Sequence, residues 1–375
     1  MPPRSTSKRK STSAANDKAP KADEAEESPL TDQEASDADD KPKAKRAKKQ
    51  KPAKEESDGG GEEEEDKPKP KKAKAKKGPV EPLDASLPTN LTVPDPLALF
   101  ERPQEGRIRI SAWNVAGLRA SEKKGFSRYV EAEDADVLVV TETKTPEIAL
   151  PALDSRYEHR FWGNHSKKGQ AGTAIFSKTK PLNVIYGMHD GGEDVSKEES
   201  EGRCVTLEFD NTFVVGTYVP NAGSGLKNMD QKKAWNRAFE RYLRELDAKK
   251  PVVWCGDLNV VATEKDIRNW KTNYNKSPGC TDDEIDGFSS QLNPPEDSGH
   301  KKLVDVWRHF NPDKEGHYTY QAYKFQCRSK GIGWRLDYFV TSERLMPKVK
   351  SCEMRHEIWG ASDHLPLVLD IEGPL

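Results

Sequence analysis

The sequence predicts an α/β protein, a layered sandwich of sheets and helices behind a disordered N-terminal tail. Three observations carry that prediction. The first 90 of the 375 residues hold 21 Lys+Arg and 20 Asp+Glu, no aromatic residue, and only Met1, Leu30, Val80, Leu83 and Leu87 as apolar residues larger than alanine. The rest of the chain holds all 11 Phe, 10 Tyr, 8 Trp and five Cys, with 40 of the 61 Lys+Arg and 43 of the 63 Asp+Glu. Within it, eight short runs read as strands and few stretches between them read as helices, which favours packed layers over a strict alternation of strand and helix.

The tail cannot bury enough apolar surface to offset the entropy of ordering, so disorder is expected there. Its charges come in blocks: basic at 8–10, acidic across 23–40, basic over 41–49 (KPKAKRAKK), acidic over 62–66, and basic with interspersed prolines over 67–77. Basic clusters of this size read as nuclear import signals or nucleic-acid contacts. Three of them in one aromatic-free tail favour the nucleus over a merely extended linker. A reporter fused to residues 1–90 is expected to enter the nucleus, and cytoplasmic retention contradicts this. The Pro-rich stretch 79–103 reads as a linker, so residues 1–102 form tail and linker and residues 103–375 the catalytic domain.

Order is expected from Arg107, where Ile108, Ile110 and Ala112 alternate with polar residues as in a half-buried strand. Residues 136–141 (DVLVVT), 173–177, 204–209, 213–219, 252–255, 338–341 and 365–371 are the further strands. Several are apolar throughout, as suits strands covered on both faces. Residues 229–246 form the clearest helix: Trp235, Phe239, Tyr242, Leu243 and Leu246 share one stripe, with Lys232, Arg237, Arg241 and Glu245 expected to face away. Thr281 and Glu284 have the spacing of a capping box opening a shorter helix.

No run approaches the roughly 18 continuous apolar residues of a membrane span, and residues 1–10 are polar and basic, unlike a secretory signal. Cys204, Cys255, Cys280, Cys327 and Cys352 are odd in number and form no CxxC pair. That argues against a disulfide scaffold or structural zinc and for a reducing compartment.

The residues that carry chemistry fall at the ends of the strands. Trp113-Asn114 ends the first and Glu142-Thr143-Lys144 the second. Gly256-Asp257-Leu258-Asn259 ends a later one, Trp334-Arg335-Leu336-Asp337-Tyr338 opens another, and Ser362-Asp363-His364 precedes the last. One Asp or Asn at a strand end is more often a turn residue than a ligand. Five such segments in one chain are not explained as caps. Converging carboxylate and amide oxygens are the hard ligands that Mg²⁺ selects, with Mn²⁺ as a substitute. No Cys/His cluster competes, so zinc fits poorly.

These segments closely resemble the exonuclease III class of apurinic/apyrimidinic (AP) endonucleases, within the endonuclease/exonuclease/phosphatase superfamily. The matching stretches are ISAWNVAGLRA (110–120), TETK (141–144), GTYVPNAGSGL (216–226), CGDLNV (255–260), RSKGIGWRLDYF (328–339) and SDHLPL (362–367). SDH and GDLN are shared across the superfamily, whereas YVPNAG and GWRLDYF are more specific to the AP endonuclease branch. The resemblance implies a four-layered α/β sandwich, DNase I-like, with two packed mixed β-sheets flanked by helices. It implies a monomeric Mg²⁺-dependent repair endonuclease acting on double-stranded DNA containing abasic sites. Such an enzyme cleaves the phosphodiester 5′ to the abasic site in base excision repair, leaving a 3′-hydroxyl and a 5′-deoxyribose phosphate. Weaker 3′-exonuclease or 3′-phosphodiesterase activity belongs to the same expectation, as do repair-protein partners engaged through the tail; a membrane does not.

Carried over residue by residue, the resemblance implies a metal position at Glu142 and Asn114, with Asp363 and Asp257 beside it and Asn259 and His364 in reach. Asp257 is the favoured base for the attacking water, aligned by Asn259, with His364 and Tyr218 left open as alternatives. A protonated His364 held by Asp337, together with Asn259 and Mg²⁺, would stabilise the pentacovalent charge, and Mg²⁺-bound water or Tyr218 would serve the leaving oxygen. Tyr320, Trp334 and Leu336 would wall a pocket that only a flipped, baseless nucleotide can enter, with Asn221 near the phosphate. Arg119, Lys124, Arg203 and Lys330 would meet the DNA backbone. A domain with more acidic than basic residues has no global attraction for DNA, so such contacts must be local.

Two positions depart from the pattern. Ala116 stands where many relatives have a carboxylate or amide, which leaves one metal ion or two an open question. Ser224 stands where some relatives carry a large basic residue that inserts into DNA. Faster product release is therefore expected, although Lys227 is placed to compensate. Ser224→Arg is expected to slow the off-rate of nicked DNA, and an unchanged off-rate contradicts this. The nearest rival is an inositol-polyphosphate 5-phosphatase, since VVWCGDLN resembles that branch too, but its Pro-x-Trp-Cys-Asp-Arg companion is replaced here by Gly-Trp-Arg-Leu-Asp-Tyr. A DNase I-like nonspecific nuclease would be expected to carry a secretion signal. A non-catalytic nucleic-acid-binding scaffold has no use for Glu142, Asp257 and Asp363 facing polyanionic DNA. The chain closes just after the last strand, as in the shorter AP endonucleases that lack a C-terminal zinc extension. Ser111 rather than a cysteine on the first strand gives no ground for a redox function.

Overall fold

A computed structural model describes residues 91–188, 195–196 and 200–375. The expected disordered tail, residues 1–90, and its import clusters lie outside them. In chain order the strands are β1 (Arg107–Asn114), β2 (Val137–Thr141), β3 (His159–Gly163), β4 (Thr173–Ser177), β5 (Asn183–Tyr186) and β6 (Cys204–Glu208). They continue as β7 (Phe213–Tyr218), β8 (Val252–Asp257), β9 (Leu303–Asp305), β10 (Asp337–Ser342), β11 (Val349–Met354) and β12 (Leu367–Glu372). The helices are α1 (Leu118–Lys123), α2 (Phe126–Glu133), α3 (Pro151–Asp154), α4 (Met229–Lys249), α5 (Trp270–Asn273), α6 (Asp282–Leu292) and α7 (Val306–Phe310).

The strands pair into two six-stranded mixed sheets, ordered β11-β12-β1-β2-β4-β3 and β5-β6-β7-β8-β10-β9. Each sheet contains one parallel pair, β1 with β2 and β7 with β8. Such a pair needs a crossover, supplied by α1 and α2 in the first sheet and α4 in the second. The inner faces meet through Ile110, Val137, Val139 and Ile175 on one side and Val205, Leu207, Val253 and Phe339 on the other. Burying each such side chain contributes about 1.5–3 kcal/mol.

The outer face of the first sheet (Leu138, Val140, Phe176) lies under Phe126, Tyr129 and Val130 of α2. That of the second (Val215, Trp254, Val340) lies under Trp235, Phe239 and Leu246 of α4 and Phe288 of α6. The result is the four-layered sandwich that the resemblance implies.

All eight strands read from the sequence are present, within two residues at each end. The four it does not reveal, β3, β5, β9 and β11, are the four sheet edges. Three expectations need correction. Residues 91–102 are not simply linker: Val93 is buried, its N–H bonds to Lys124 O at 2.8 Å, and Leu97 and Phe100 pack on the α2 layer. Single apolar residues between prolines show no periodicity by which to recognise them. Lys232 does not face away from the core but is buried. Thr281 caps α6 by accepting from the Glu284 N–H, but the Glu284 carboxylate returns to Gly279 N–H and the Thr281 hydroxyl, so the box is not reciprocal with the cap backbone. Among the described residues no helix is long and apolar enough to cross a membrane, and no disulfide joins the five buried cysteines.

Candidate active site

Strand register decides what meets at one end of the sandwich. In the parallel pair β1/β2, Asn114 lies opposite Thr141, so Glu142 follows immediately beyond. In β7/β8, Tyr218 lies opposite Asp257, and in the antiparallel pair β8/β10, Asp257 lies opposite Asp337. Because β12 runs antiparallel to β1, the turn before it brings Ser362, Asp363 and His364 to the same end. Glu142 and Asn259 turn the chain there in left-handed conformations, with φ of 52° and 51°, each costing about 1–3 kcal/mol. Gly256 has φ 127°, and a Cβ on it would lie 2.1 Å from the Thr217 carbonyl oxygen, so only glycine lets β8 approach β7 ahead of Asp257.

Three side-chain bonds stitch the two sheets together at this end. Asn114 Nδ2 donates to Asp257 Oδ2 at 2.9 Å, the Tyr218 hydroxyl donates to Glu142 Oε1, and His364 Nδ1 meets Asp337 Oδ2 at 2.7 Å. Smaller contacts fix each partner. The Ala116 N–H occupies Asn114 Oδ1 at 2.9 Å, which turns the amide nitrogen toward Asp257. Asn259 donates its backbone N–H to Asp257 Oδ1 at 2.9 Å and its amide to Val219 O, while its Oδ1 accepts from Asn221 Nδ2. Ser362 Oγ joins Asn114 O and the His364 N–H, and Lys144 Nζ lies 3.4 Å from Glu142 Oε2.

The charges are strongly coupled. Burial, then Asp337 and Glu142, push the Asp257 carboxyl up to about 7 against the opposing pull of His364 and the Asn259 N–H. Burial alone would drive His364 toward the neutral form, but Asp337 in contact and Asp257 and Asp363 nearby hold the imidazolium, with a pKa of about 10. Burial and Glu142 also raise Asp363, and burial, Glu142 and Asp257 keep the Tyr218 phenol protonated. Glu142 thus acts electrostatically on both Asp257 and Asp363, a repulsion that a cation would relieve. Asp337 Oδ1 is buried without a hydrogen-bond partner. Ligand atoms of Asp257, Asp337 and His364 also lie within 4.8 Å of one another, a grouping that adds Asp337 to the expected set. Hard oxygens in this number suit a divalent metal. His364, also in the expected metal set, belongs to this grouping, with its Nδ1 engaged by Asp337.

The expected pocket residues also gather. Tyr320 bridges to both Trp334 and His364, its ring centroid 4.9 Å from that of His364, and Trp334 and Leu336 pack beside it with Val261, Ile267 and Cys280. Arg203 lies behind the site, its guanidinium 5.1 Å from the centre of the Tyr218 ring and donating to Tyr218 O at 3.3 Å. Arg119 is exposed and reaches Thr145 Oγ1 at 3.1 Å, and Lys124 sits 4.6 Å over the Tyr323 ring. Ser224 and Lys227 are exposed on the turn before α4. The sequence places Ser362 and Arg335 in the matched segments without a role for either, and Lys232 on the outward face of its helix. Lys232 alone had a readable signal, since 232, 235, 239, 242 and 246 keep the 3–4 spacing of the buried stripe.

Comparison with known proteins places these residues in context. The model of the Endonuclease/Exonuclease/phosphatase family matches residues 111–364. The chain is 43% identical over 268 residues to the DNA-(apurinic or apyrimidinic site) endonuclease of Dictyostelium discoideum, covering 70% of each chain. It is 41% identical over 265 residues to the exodeoxyribonuclease of Bacillus subtilis (strain 168), covering 70% of this chain and 99% of that one. Among solved structures it is similar to the AP endonuclease LMAP from Leishmania major, with a TM-score of 0.59 and 26% identity over 75% of this chain and 94% of that one.

Proposed function

The chain belongs to the endonuclease/exonuclease/phosphatase family, in its branch of AP endonucleases and exodeoxyribonucleases, and on that premise we propose that it is a Mg²⁺-dependent hydrolase of the phosphodiester 5′ to an abasic site in double-stranded DNA. The single observation that carries this reading is Tyr320, which packs with Trp334 and Leu336 and also lies against His364, itself bonded to Asp337. In this reading the part of the site that admits a baseless nucleotide adjoins the hydrolytic residues.

In this reading a water attacks the phosphorus and gives its proton to Asp257. Of the three candidate bases, Asp257 is the one whose ionised form is accessible near neutrality; Tyr218 and His364 both hold their protons. Asn259 fixes the Asp257 carboxylate through its N–H. The imidazolium of His364, kept charged by Asp337, faces the negative charge that builds on the phosphoryl oxygens. The bond to the 3′ oxygen breaks, and Tyr218 is the chain's own O–H donor for it. A divalent cation would neutralise the scissile phosphate, and Glu142, Asn114, Asp363 and Asp257 are the residues to hold it. Arg119, Lys124 and Lys330 are the backbone contacts of the same reading, and Asn221 stands toward the phosphate. Residues 1–90 serve as the targeting tail, residues 91–102 pack onto the catalytic domain they lead into, and the enzyme works as a nuclear monomer in base excision repair.

The test is a substrate panel with Mg²⁺: a duplex with one abasic site, the same duplex intact, a 3′-recessed duplex and an inositol polyphosphate. Incision of the first alone at a high rate, yielding a 3′-hydroxyl and a 5′-deoxyribose phosphate, with slow 3′ trimming of the third, is the expected result. Faster phosphate release from the inositol polyphosphate overturns it.

A further inference from the structure

Lys232 is the one lysine of α4 withdrawn wholly into the protein, with 1% of its surface exposed. Its Nζ donates to the backbone carbonyl of Asn259 at 2.5 Å and to Glu284 Oε1 at 2.7 Å. Glu284, at the start of α6, turns its second oxygen to the Gly279 N–H at 2.7 Å and to the Thr281 hydroxyl at 2.8 Å. Gly279 in turn accepts the Val261 N–H at 2.8 Å. The loop that leaves β8 through Asp257 and Asn259 is thus gripped from behind by an ammonium, a carboxylate and a turn drawn from two helices. It needs such a grip, because Asn259 sits in the left-handed region and its peptide would relax without one. Fold stability alone does not explain the arrangement: a buried ion pair is often no better than apolar residues of the same volume.

We propose that Lys232, held by Glu284, is a positioning residue for phosphodiester cleavage. By anchoring the Asn259 carbonyl it restrains the backbone torsion of Asn259, and so the placement of the residue whose N–H holds Asp257. Partners that orient catalytic side chains in this way typically matter about 10- to 100-fold in activity. The inference rests on the proposed cleavage reaction.

The decisive comparison is between the wild-type chain and Lys232→Met/Glu284→Gln, in which neither member leaves a buried charge behind. Single-turnover cleavage and KM are measured on a single-abasic-site duplex with Mg²⁺, well below each protein's own thermal midpoint. The expected result is a midpoint close to wild type, a cleavage rate lower by about 10- to 100-fold and a KM barely changed. A double variant that cleaves at the wild-type rate overturns the inference. So does a rise in KM with the rate intact, since that marks lost substrate binding. Should the double variant not fold, Lys232→Arg decides: it keeps a charged partner for Glu284 but cannot reproduce the point contact on Asn259 O, so a slowed rate supports positioning and an unchanged rate refutes it. A wild-type chain inert on the abasic duplex would instead remove the proposed reaction itself.

Discussion

In Asp257→Asn, single-turnover cleavage of an abasic duplex falls by about 10²- to 10⁴-fold, the share a positioned general base contributes. The substitution keeps the side-chain volume and the acceptor for the Asn259 N–H, so substrate binding should persist. The pH profile separates loss of a base from loss of shape. Asp257 is pushed up to about 7, and a nearby cation lowers that value. The wild-type rate should therefore rise with pH through a limb at or below about 7, as the carboxylate ionises, and fall only above about 10, where His364 loses its proton. In the variant the acid limb disappears. A variant within a few-fold of wild type, or one that keeps the acid limb, removes Asp257 from that role.

Arg335→Met has the largest expected effect on stability. Arg335 is buried between two acids, with Nε 2.7 Å from Asp266 Oδ1 and Nη2 2.7 Å from Asp305 Oδ2, and its guanidinium lies 4.2 Å from the centre of the Tyr338 ring. Removing it leaves both carboxylates short of their partner, which costs about 3–5 kcal/mol. The pH dependence has a defined sign. Burial alone would raise Asp266, but Arg335 and Arg308 outweigh it and hold the carboxyl below its ordinary range. The stability that Asp266 contributes is therefore complete above the ordinary value near 4 and is lost as pH falls below it. Denaturant titrations should show the gap between wild type and variant widest at neutral pH and narrowing on acidification. A gap independent of pH means that packing, rather than the ion pairs, is what was lost. Because Arg335 lies between Trp334 and Leu336 and two residues before Asp337, the same arginine anchors the segment that serves both pocket and imidazolium.

What the sequence revealed follows the solvent. The eight strands it marked are the eight interior ones, largely buried and mostly apolar apart from the alternating β1. The edge strands β3 (HRFWG), β5 (NVIY), β9 (LVD) and β11 (VKSCEM) are short or mixed in polarity because one side meets water, and no pattern separates them from loops. The residues at the site were legible because polar groups at the ends of apolar strands stand out. Their wiring was not. That Asn114 bonds Asp257 and Tyr218 bonds Glu142 depends on how two sheets lie against each other, which no local spacing encodes. Lys232 shows the opposite failure: its helical position pointed inward, but a lysine is so rarely buried that its charge outweighed its place on the stripe.

The proposed hydrolysis requires a cation shared by Glu142, Asp257 and Asp363. Its most direct test is cleavage of the single-abasic-site duplex by chelator-treated protein, with and without added Mg²⁺, in wild type and in Glu142→Gln. Expected are an inert metal-free protein, full recovery on adding Mg²⁺, and a Glu142→Gln variant that needs far more Mg²⁺ for half its maximal rate. Unchanged cleavage in excess chelator would contradict it.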